Sequence, residues 1–280
     1  MTSVLERPAA APPVRRAPTP VRALTRITTG VLKRTVAIAA LLLAWEFAPR
    51  LGLVDKTFLV PFSQTLPALW DLARDGQLWS NTQASLVRSL TGFGLAIVIA
   101  VPLGLFIGWY RPVADLLNPL LELFRNTAAI ALLPVFILVL GIGETSKISI
   151  VVYACVWPIL LNTVSAVRTV DPVLVKSARS LGLPPLRIFQ KVILPASVPQ
   201  IFTGIRLAGS AAILVMVVAE MVGAKEGLGY FINASQQNFA IKDMYAGIIT
   251  ISVIGVTFNQ ILVTVERRFT RWREPVGDNR

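Results

Sequence analysis

Six long apolar stretches dominate this sequence and limit the folds that the chain can adopt. They cover about Thr35–Pro49, Leu86–Tyr110, Ala128–Gly141, Ile148–Val167, Ile201–Val222 and Ala246–Val265. Each is near the length that a helix needs to cross a bilayer, although the first and the third are short. The chain is also 54% hydrophobic and only 15% charged, which is more apolar surface than a soluble domain of 280 residues can bury. We therefore predict an all-α, polytopic membrane protein with six transmembrane helices.

The lysine and arginine residues indicate how these spans are oriented. With both termini in the cytoplasm, 20 of the 27 basic residues fall in inner segments and 7 in outer ones. We expect a disordered basic cytoplasmic tail over residues 1–30, a six-helix transmembrane domain over residues 31–270 and a second cytoplasmic tail over residues 271–280. The net charge of +12 is spread between the apolar stretches, which favours membrane lipids over nucleic acid as its partner.

Two local patterns predict structure around the spans. Gly104 and Gly108 have the spacing of small residues that lets two membrane helices approach closely. In the outer loop after the first span, residues Ser63 to Ala73 form an amphipathic pattern that is stopped by Gly76, so we expect a short helix there.

Several kinds of chemistry lack their usual residues in this chain. It has no histidine and a single cysteine, Cys155, which removes disulfide frameworks, thiolate metal sites and histidine-based nucleophile pairs. The segment Gly141–Lys147 ends like a phosphate-binding loop but lacks the glycine before the lysine and a preceding strand. We therefore expect no catalytic residue, no metal site and no cofactor in this chain, and any energy from ATP must come from a partner.

The polar connector between the fourth and fifth stretches, residues 171–199, is too long to be a simple turn. Asp171 can cap a helix whose first position is Pro172, and Gly182 can end that helix. A second short helix is predicted to open at Pro184–Pro185 and to end just before the next proline, Pro195.

Both predicted helices are amphipathic and would form a rigid projection, which we call the knob (residues 171–199). Their apolar faces consist of Leu174, Ala178 and Leu181 in the first helix, and Leu186, Phe189 and Ile193 in the second. Spacing alone supports two interpretations. The knob is either a docking element for a partner protein or an interfacial helix pair lying on anionic headgroups.

The knob resembles the loop signature of ABC import permeases, which reads Glu-Ala-Ala, three residues, Gly, nine residues, Ile, one residue, Leu-Pro. This spacing is kept by Lys176-Ser177-Ala178, Gly182, Val192 and Leu194-Pro195, with Lys, Ser and Val at three positions where the signature has Glu, Ala and Ile. The resemblance extends from about Leu59 to Trp272 and is closest to the permeases for nitrate, aliphatic sulfonates and taurine. Long matching stretches include LVPFSQTLPALWDLARDGQLW and ILPASVPQIFTGIRLAGSAAILVMVVAEM.

This resemblance implies a type I ABC importer permease in the bacterial inner membrane, for a small solute such as nitrate, a sulfonate or taurine. It implies as partners two ABC ATPase subunits that bind ATP and Mg, a second copy of this chain and an extracytoplasmic solute-binding protein. The knob would be the coupling helix that enters a groove of the ATPase. The implied coupling residues are Leu174, Lys176, Ser177, Ala178, Leu181, Gly182, Val192, Leu194 and Pro195.

Charged and polar residues at membrane depth are the candidates for the pathway or its gate: Glu122, Arg125, Asn162, Arg206 and Glu220. Glu122 and Arg125 lie three apart and can pair with each other, or else border a gate and exchange partners as the spans move. Glu220 is expected to pair with Arg206, because a carboxylate in mid-pathway would repel an anionic substrate. Asn162 either faces the interior or bonds a helix carbonyl group.

Two other functions remain as alternatives. A secondary transporter or channel that works without an ATPase would need inverted repeats with matched broken helices, or a filter loop, and the sequence shows neither. A membrane-bound enzyme would need a cluster of nucleophile, base or metal ligands near one interface, and no such cluster is found in the sequence.

Overall fold

The computed structural model describes residues 20–55 and 57–269, with side chains from residue 35 onward. The described part is built from helices and contains no strand, which confirms the predicted all-α class. A 3-10 turn at Ala129–Leu132 precedes α5, and a π turn at Phe189–Ile193 joins α8 to α9. The α-helices in chain order are α1 Pro20–Arg50, α2 Phe62–Arg74, α3 Gln77–Trp109, α4 Arg111–Arg125, α5 Leu133–Leu140, α6 Glu144–Arg168, α7 Pro172–Ser180, α8 Pro185–Ile188, α9 Leu194–Met221, α10 Leu228–Gln237 and α11 Ile241–Phe269.

Among the described residues, four helices are long and apolar enough to cross a membrane: α3, α6, the continuous run Pro185–Met221, and α11. A fifth span is obtained only if α4 and the segment Ala129–Leu140 are counted together, and these two parts are bent by 83°. The predicted number of six spans is therefore not confirmed. The third predicted span, Ala128–Gly141, is divided between the 3-10 turn and α5, and the first lies in α1, where side-chain description starts only at residue 35.

Of the described residues, those up to Phe62 form one compact unit and those from Ser63 onward form another. In the first unit α1 begins at Pro20. Proline suits the first turn of a helix because its φ is already helical and its missing amide is not needed there. Residues 1–19 and the tail expected over 271–280 lie outside the described residues.

The centre of the second unit depends on small residues that recur at every fourth position of α3. Gly92, Ala96, Ala100, Gly104 and Gly108 are all buried. A Cβ added at Gly104 would lie 2.7 Å from the Cβ of Thr163, and one at Gly108 would lie 2.8 Å from the Cβ of Val167. The close approach predicted at these two glycines is confirmed. Because lipid is as apolar as leucine, membrane helices associate largely through such close van der Waals contact.

The same contacts fix the directions of the helices. Residue numbers increase in the same direction along α3 and α6, since Gly92 lies against Val151 and Gly108 lies against Val167. These two helices are therefore parallel. Helix α9 is antiparallel to α6: its Gly204 lies against Asn162, and further along α9 the carbonyl of Ala208 accepts a contact from the Cys155 sulfur at 3.4 Å. One end of the bundle therefore gathers the starts of α3 and α6 with the end of α9, and the knob lies at the opposite end.

Two shorter helices cover the end of the bundle that lies away from the knob. The helix predicted from Ser63 to Ala73 is present as α2, and Gly76 follows it in the left-handed region with φ of 75°. Helix α10, which the sequence analysis did not predict, packs against α2 and α11 through a buried cluster of Leu72, Phe231 and Ala246.

The glycine stripe of α3 leads to a direct prediction. Gly104→Val should lower the free energy of unfolding by about 1–3 kcal/mol, because its side chain would overlap Thr163 in a packed interface. Gly94→Val is the matched control, since nothing lies within 4 Å of a Cβ at that position of the same helix. Thermal unfolding of the purified protein in detergent measures the difference, and an equal loss in both variants would contradict the packing argument.

Candidate functional site

The first helix of the knob has the caps that the sequence predicted. Pro172 occupies the first position of α7, and the Asp171 side chain accepts a hydrogen bond from the Val173 N–H at 2.8 Å. Gly182 follows the helix with φ of 73°, in the left-handed region that glycine adopts at little cost. The knob therefore begins with a short helix that is fixed at both ends.

The apolar face predicted for this helix is divided between two environments. Ala178 is 4% exposed and packs with Val167, Ile188 and Ile193 against the bundle, whereas Leu174 is 50% and Leu181 is 81% exposed. Leu181 is the residue after the helix, with ψ of 6°, so helical spacing no longer determines where its side chain points. The prediction that all three residues share one face is therefore wrong.

The second helix of the knob does not end before Pro195, as the sequence suggested. The structure continues it through the π turn into α9, as a single run from Pro185 to Met221. The N–H of Leu194 bonds to the carbonyl of Phe189, five residues back, which changes the bonding register just before Pro195. Since proline has no amide hydrogen, the wider turn lets the helix continue where a regular one would break. The second part of the knob, from Pro185 onward, is thus the first part of this long apolar helix.

The knob is anchored to the ends of α3 and α6. The Trp109 ring of α3 meets the Phe189 ring of the knob at 5.1 Å in an edge-on arrangement. Next to the knob, Arg168 at the end of α6 donates to the Asp115 carboxylate of α4 at 2.9 Å. The surface turned away from the bundle carries exposed apolar side chains: Val173, Leu174, Leu181 and Leu186. Of the other implied coupling residues, Lys176, Ser177, Gly182 and Pro195 are exposed, and Val192 and Leu194 are half-buried.

A charged cluster occupies the opposite end of the bundle and is organised by Arg88 of α3. The Arg88 side chain is buried, and every one of its nitrogens donates. Its Nε and Nη2 bond to Glu144 at the start of α6, Nη1 bonds to Glu220 of α9 at 2.9 Å, and Nη1 also bonds to the Glu226 carbonyl at 2.7 Å. One guanidinium group therefore joins α3, α6, α9 and the loop before α10.

Glu220 is fully buried and also holds the first turn of α10. Its carboxylate accepts hydrogen bonds from the Ser85 hydroxyl at 2.7 Å and from the Gly229 N–H at 3.0 Å. The Ser85 hydroxyl in turn accepts from the Leu228 N–H at 2.8 Å. These bonds satisfy amides that a helix start leaves free, and they account for the burial of a carboxylate at this position.

The expected pairing of Glu220 with Arg206 is wrong. Arg206 bonds instead to Glu266 of α11 at 3.1 Å, because both lie nearer the knob end of the bundle. The sequence did carry a signal for the true partner: Arg88 stands two residues inside a predicted span, where a lone charge needs a counterion. The expected pair of Glu122 with Arg125 is likewise not formed, and in the described part of the chain neither side chain has an ion-pair partner.

A cavity of about 370 Å³ lies between α6, α9 and the break that follows α4. Two of the five predicted pathway residues, Arg125 and Asn162, meet in its wall. The Asn162 side chain donates to the Pro158 carbonyl at 2.8 Å, which is one of the two roles expected for it. The other polar side chains in the wall belong to Thr127, Tyr153 and Trp157.

Tyr153 and Trp157 were not singled out from the sequence. Their hydroxyl oxygen and indole Nε1 are buried, and neither atom has a hydrogen-bond partner among the described residues. A buried donor left unpaired costs about 1–3 kcal/mol, so two of them side by side in one cavity wall require an explanation. A pattern search for charged residues could not find them, because both look like ordinary aromatic residues of a span.

Comparison with known proteins gives consistent matches over most of the chain. Residues 100–271 match a family described as binding-protein-dependent transport system inner membrane component. The chain is 32% identical over 244 residues to the taurine transport system permease protein TauC of Escherichia coli (strain K12), which covers 85% of this chain and 89% of TauC. SsuC of Bacillus subtilis (strain 168), named for aliphatic sulfonates transport, is also 32% identical over 244 residues, with 87% and 88% covered.

The similarity extends to a bicarbonate system and to solved structures. The bicarbonate transport system permease protein CmpB of Synechococcus elongatus is 32% identical over 199 residues, covering 70% of this chain and 71% of CmpB. A chain of the inward-facing MetNI methionine ABC transporter superposes with a TM-score of 0.61 at 19% identity, covering 73% of this chain and 99% of that chain. A chain of a bacterial ABC transporter for import of alginate superposes with a TM-score of 0.57 at 14% identity, covering 89% and 99%. These superpositions establish a shared fold.

The Arg88 cluster yields a stability prediction. Glu220→Gln keeps the shape of the side chain but removes its charge beside the buried guanidinium, so we expect the free energy of unfolding to fall by about 3 kcal/mol. Glu226→Gln is the control, because the Glu226 side chain is exposed and surface ion pairs contribute less than about 1 kcal/mol. Unfolding of both variants in detergent would reveal the difference, and a Glu220→Gln protein as stable as the control would show that the cluster does not hold the bundle together.

Proposed function

Because the chain belongs to the family of binding-protein-dependent transport system inner membrane components, we propose that it forms the translocation pathway for a small anion and couples to its ATPase through the knob. The family assignment makes the chain the membrane-embedded permease subunit of an ABC importer. Such a subunit is not itself an enzyme, and ATP hydrolysis is carried out by a partner chain. A secondary transporter or channel without an ATPase, the alternative function, does not fit this family.

The exposed apolar surface of the knob is the observation that carries the coupling proposal. Val173, Leu174, Leu181 and Leu186 project from an element that is capped, anchored and placed at one end of the bundle. A projecting apolar patch outside the membrane marks a binding surface, since water offers it no favourable contact. Lys176 replaces the glutamate of the family signature, so the contact with the ATPase rests on shape and apolar burial more than on an ion pair at that position.

The continuity of the helix supports a mechanical link from the knob to the rest of the bundle. The run Pro185–Met221 has 37 residues, which at 1.5 Å per residue gives a rod of about 55 Å. Its first turns lie in the knob, its middle borders the cavity, and Glu220 at its far end holds Arg88. A tilt imposed on the second part of the knob would therefore reach both the cavity and the charged cluster through one continuous helix.

The remaining partners follow from the same assignment. We place the knob and both termini in the cytoplasm and the Arg88 cluster at the outer face of the bacterial inner membrane, in contact with lipids along the apolar helix surfaces. Two ATPase subunits, each with ATP and Mg, would engage the knobs of two copies of this chain. An extracytoplasmic binding protein would deliver the solute to the outer face.

The relatives point to a small oxyanion as the solute. Their names concern taurine, aliphatic sulfonates and bicarbonate, which all carry a negatively charged oxygen group. Arg125 in the cavity wall supplies the complementary charge, and Arg125 and Asn162 are the pathway residues that we propose. Arg206 and Glu220 pair with other helices and have structural roles in this proposal.

The coupling proposal predicts a specific loss on charging the knob. Leu181→Asp should abolish co-purification with the ATPase partner and reduce ATP-driven uptake at least tenfold, because it places a charge in an apolar contact. Leu53→Asp, at an exposed leucine of the loop after α1, is the matched control and should retain both. Affinity purification through a tag on the permease measures the first effect. Normal co-purification and uptake in the Leu181→Asp variant would refute the role of the knob.

The substrate proposal is tested by uptake in a strain from which this gene is deleted. We expect energised uptake of labelled nitrate, methanesulfonate or taurine to fall to background in the deletion strain and to return when the gene is restored. Uptake of labelled glycerol, a neutral solute, should be unchanged and is the control. Unaltered uptake of all three anionic probes would overturn the assignment to small oxyanions.

A further inference from the structure

We propose that the cavity between α6, α9 and the break after α4 binds the sulfonate or carboxylate group of the transported solute through Arg125, the Tyr153 hydroxyl and the Trp157 indole N–H. This inference rests on the proposed function, because it assumes that the solute is an anion. It adds the site at which the anion is held within the bundle and the chemistry that selects it.

The charge of the cavity wall is the first observation. Of the described residues that line the cavity, Arg125 alone is charged, and none of them is a carboxylate. Three other arginines of the bundle are paired with carboxylates: Arg88 holds Glu220 and Glu144, Arg168 holds Asp115, and Arg206 holds Glu266. Arg125 has no such partner within the described part of the chain. A positive group left over in this way attracts an anion.

The unpaired donors are the second observation. Tyr153 and Trp157 lie one helical turn apart on α6, with their rings 5.6 Å apart in an edge-on arrangement. The hydroxyl and the indole N–H are both buried without a hydrogen-bond partner among the described residues. One of the two side-chain amide N–H bonds of Asn162 donates to the Pro158 carbonyl. Together with the fork of Arg125, the wall therefore offers a surplus of donors, which an oxygen-rich anion can satisfy.

The shape of the cavity favours an anion with a small apolar part. The wall opposite the aromatic rings is formed by α9 through Leu207, Ala211 and Val215, which recur at every fourth position. A sulfonate group has three oxygens, which can accept from Arg125, the Tyr153 hydroxyl and the Trp157 indole N–H. The short alkyl part of the solute would lie against the apolar side chains of α9. The volume of about 370 Å³ is ample for such a molecule.

Phe124 connects this site to the break after α4. Its ring stacks on that of Trp157 at 5.0 Å with an interplanar angle of 10°, and it precedes Arg125 directly in the chain. A shift of the last turn of α4 would therefore uncover the Trp157 ring and reposition the guanidinium group at the same time. In this structure both unpaired donors are shielded from water. The break is thus placed to open the site and to bring its charge to the ligand.

Direct binding to the purified permease–ATPase complex tests the site. Titration with sodium methanesulfonate at constant ionic strength should give a saturable heat signal by isothermal titration calorimetry. Tyr153→Phe, Trp157→Phe and Arg125→Gln should each weaken this binding about tenfold or more, since each removes hydrogen bonds to a charged group. The matched controls make the same chemical changes at exposed positions outside the cavity: Tyr230→Phe, Trp79→Phe and Arg111→Gln.

The outcomes separate this inference from the proposed function. Loss of methanesulfonate binding in the three cavity variants, with normal binding in the three controls, supports the site. If wild-type cells take up the anionic probes but the three cavity variants bind and transport as well as the controls, the site is wrong and the proposed function stands. If the wild-type complex binds no methanesulfonate, nitrate or taurine, the site is overturned, whereas uptake by whole cells decides the proposed function separately. Should Trp157→Phe reduce the yield of folded protein, Tyr153→Phe and Arg125→Gln still decide the result.

Discussion

The structure depends on how closely three membrane helices can approach each other. Hydrophobic burial does not draw helices together inside a bilayer, so their association rests on van der Waals contact and on the few polar bonds between them. Helix α3 meets this constraint with a small residue at every fourth position, and the side chains of Val151, Thr163 and Val167 on α6 fill the space that its glycines leave. The directions of α3, α6 and α9 follow from this interface, and so does the separation of the two functional ends.

At the end away from the knob, the packed helices bring Arg88 and Glu220 together. Charges buried in an apolar bundle are tolerated only when they are paired and fully hydrogen-bonded, and this pair satisfies both conditions. The pair also holds the loop before α10, since Glu220 and Ser85 accept from the first amides of that helix. Because Glu220 and the second part of the knob belong to the single run Pro185–Met221, one continuous helix connects the knob end of the bundle to the opposite end.

Much of the site could be predicted from local sequence. The caps of α7 at Asp171 and Pro172, the stop at Gly182 and the close contacts at Gly104 and Gly108 depend on residues near each other in the chain, and all were found as expected. The predictions that went wrong in the knob concern where each of its helices ends. Leu181 was assigned to a helix face although it lies just beyond the helix, and the second knob helix was stopped at Pro195, where a π turn allows it to continue.

By itself, the sequence determined the all-α membrane class, the family and the position of the knob, because apolar length, charge distribution and cap residues act over short distances along the chain. Only the tertiary structure decided that Glu220 pairs with Arg88 and Arg206 with Glu266, since a charge in a span requires a counterion but its sequence position does not say which helix supplies it. The same holds for the cavity. Arg125, Tyr153 and Trp157 meet there because the break after α4 faces one side of α6. In the sequence, Tyr153 and Trp157 look like any aromatic residue of a span, and only their unpaired hydrogen-bonding atoms in the structure distinguish them.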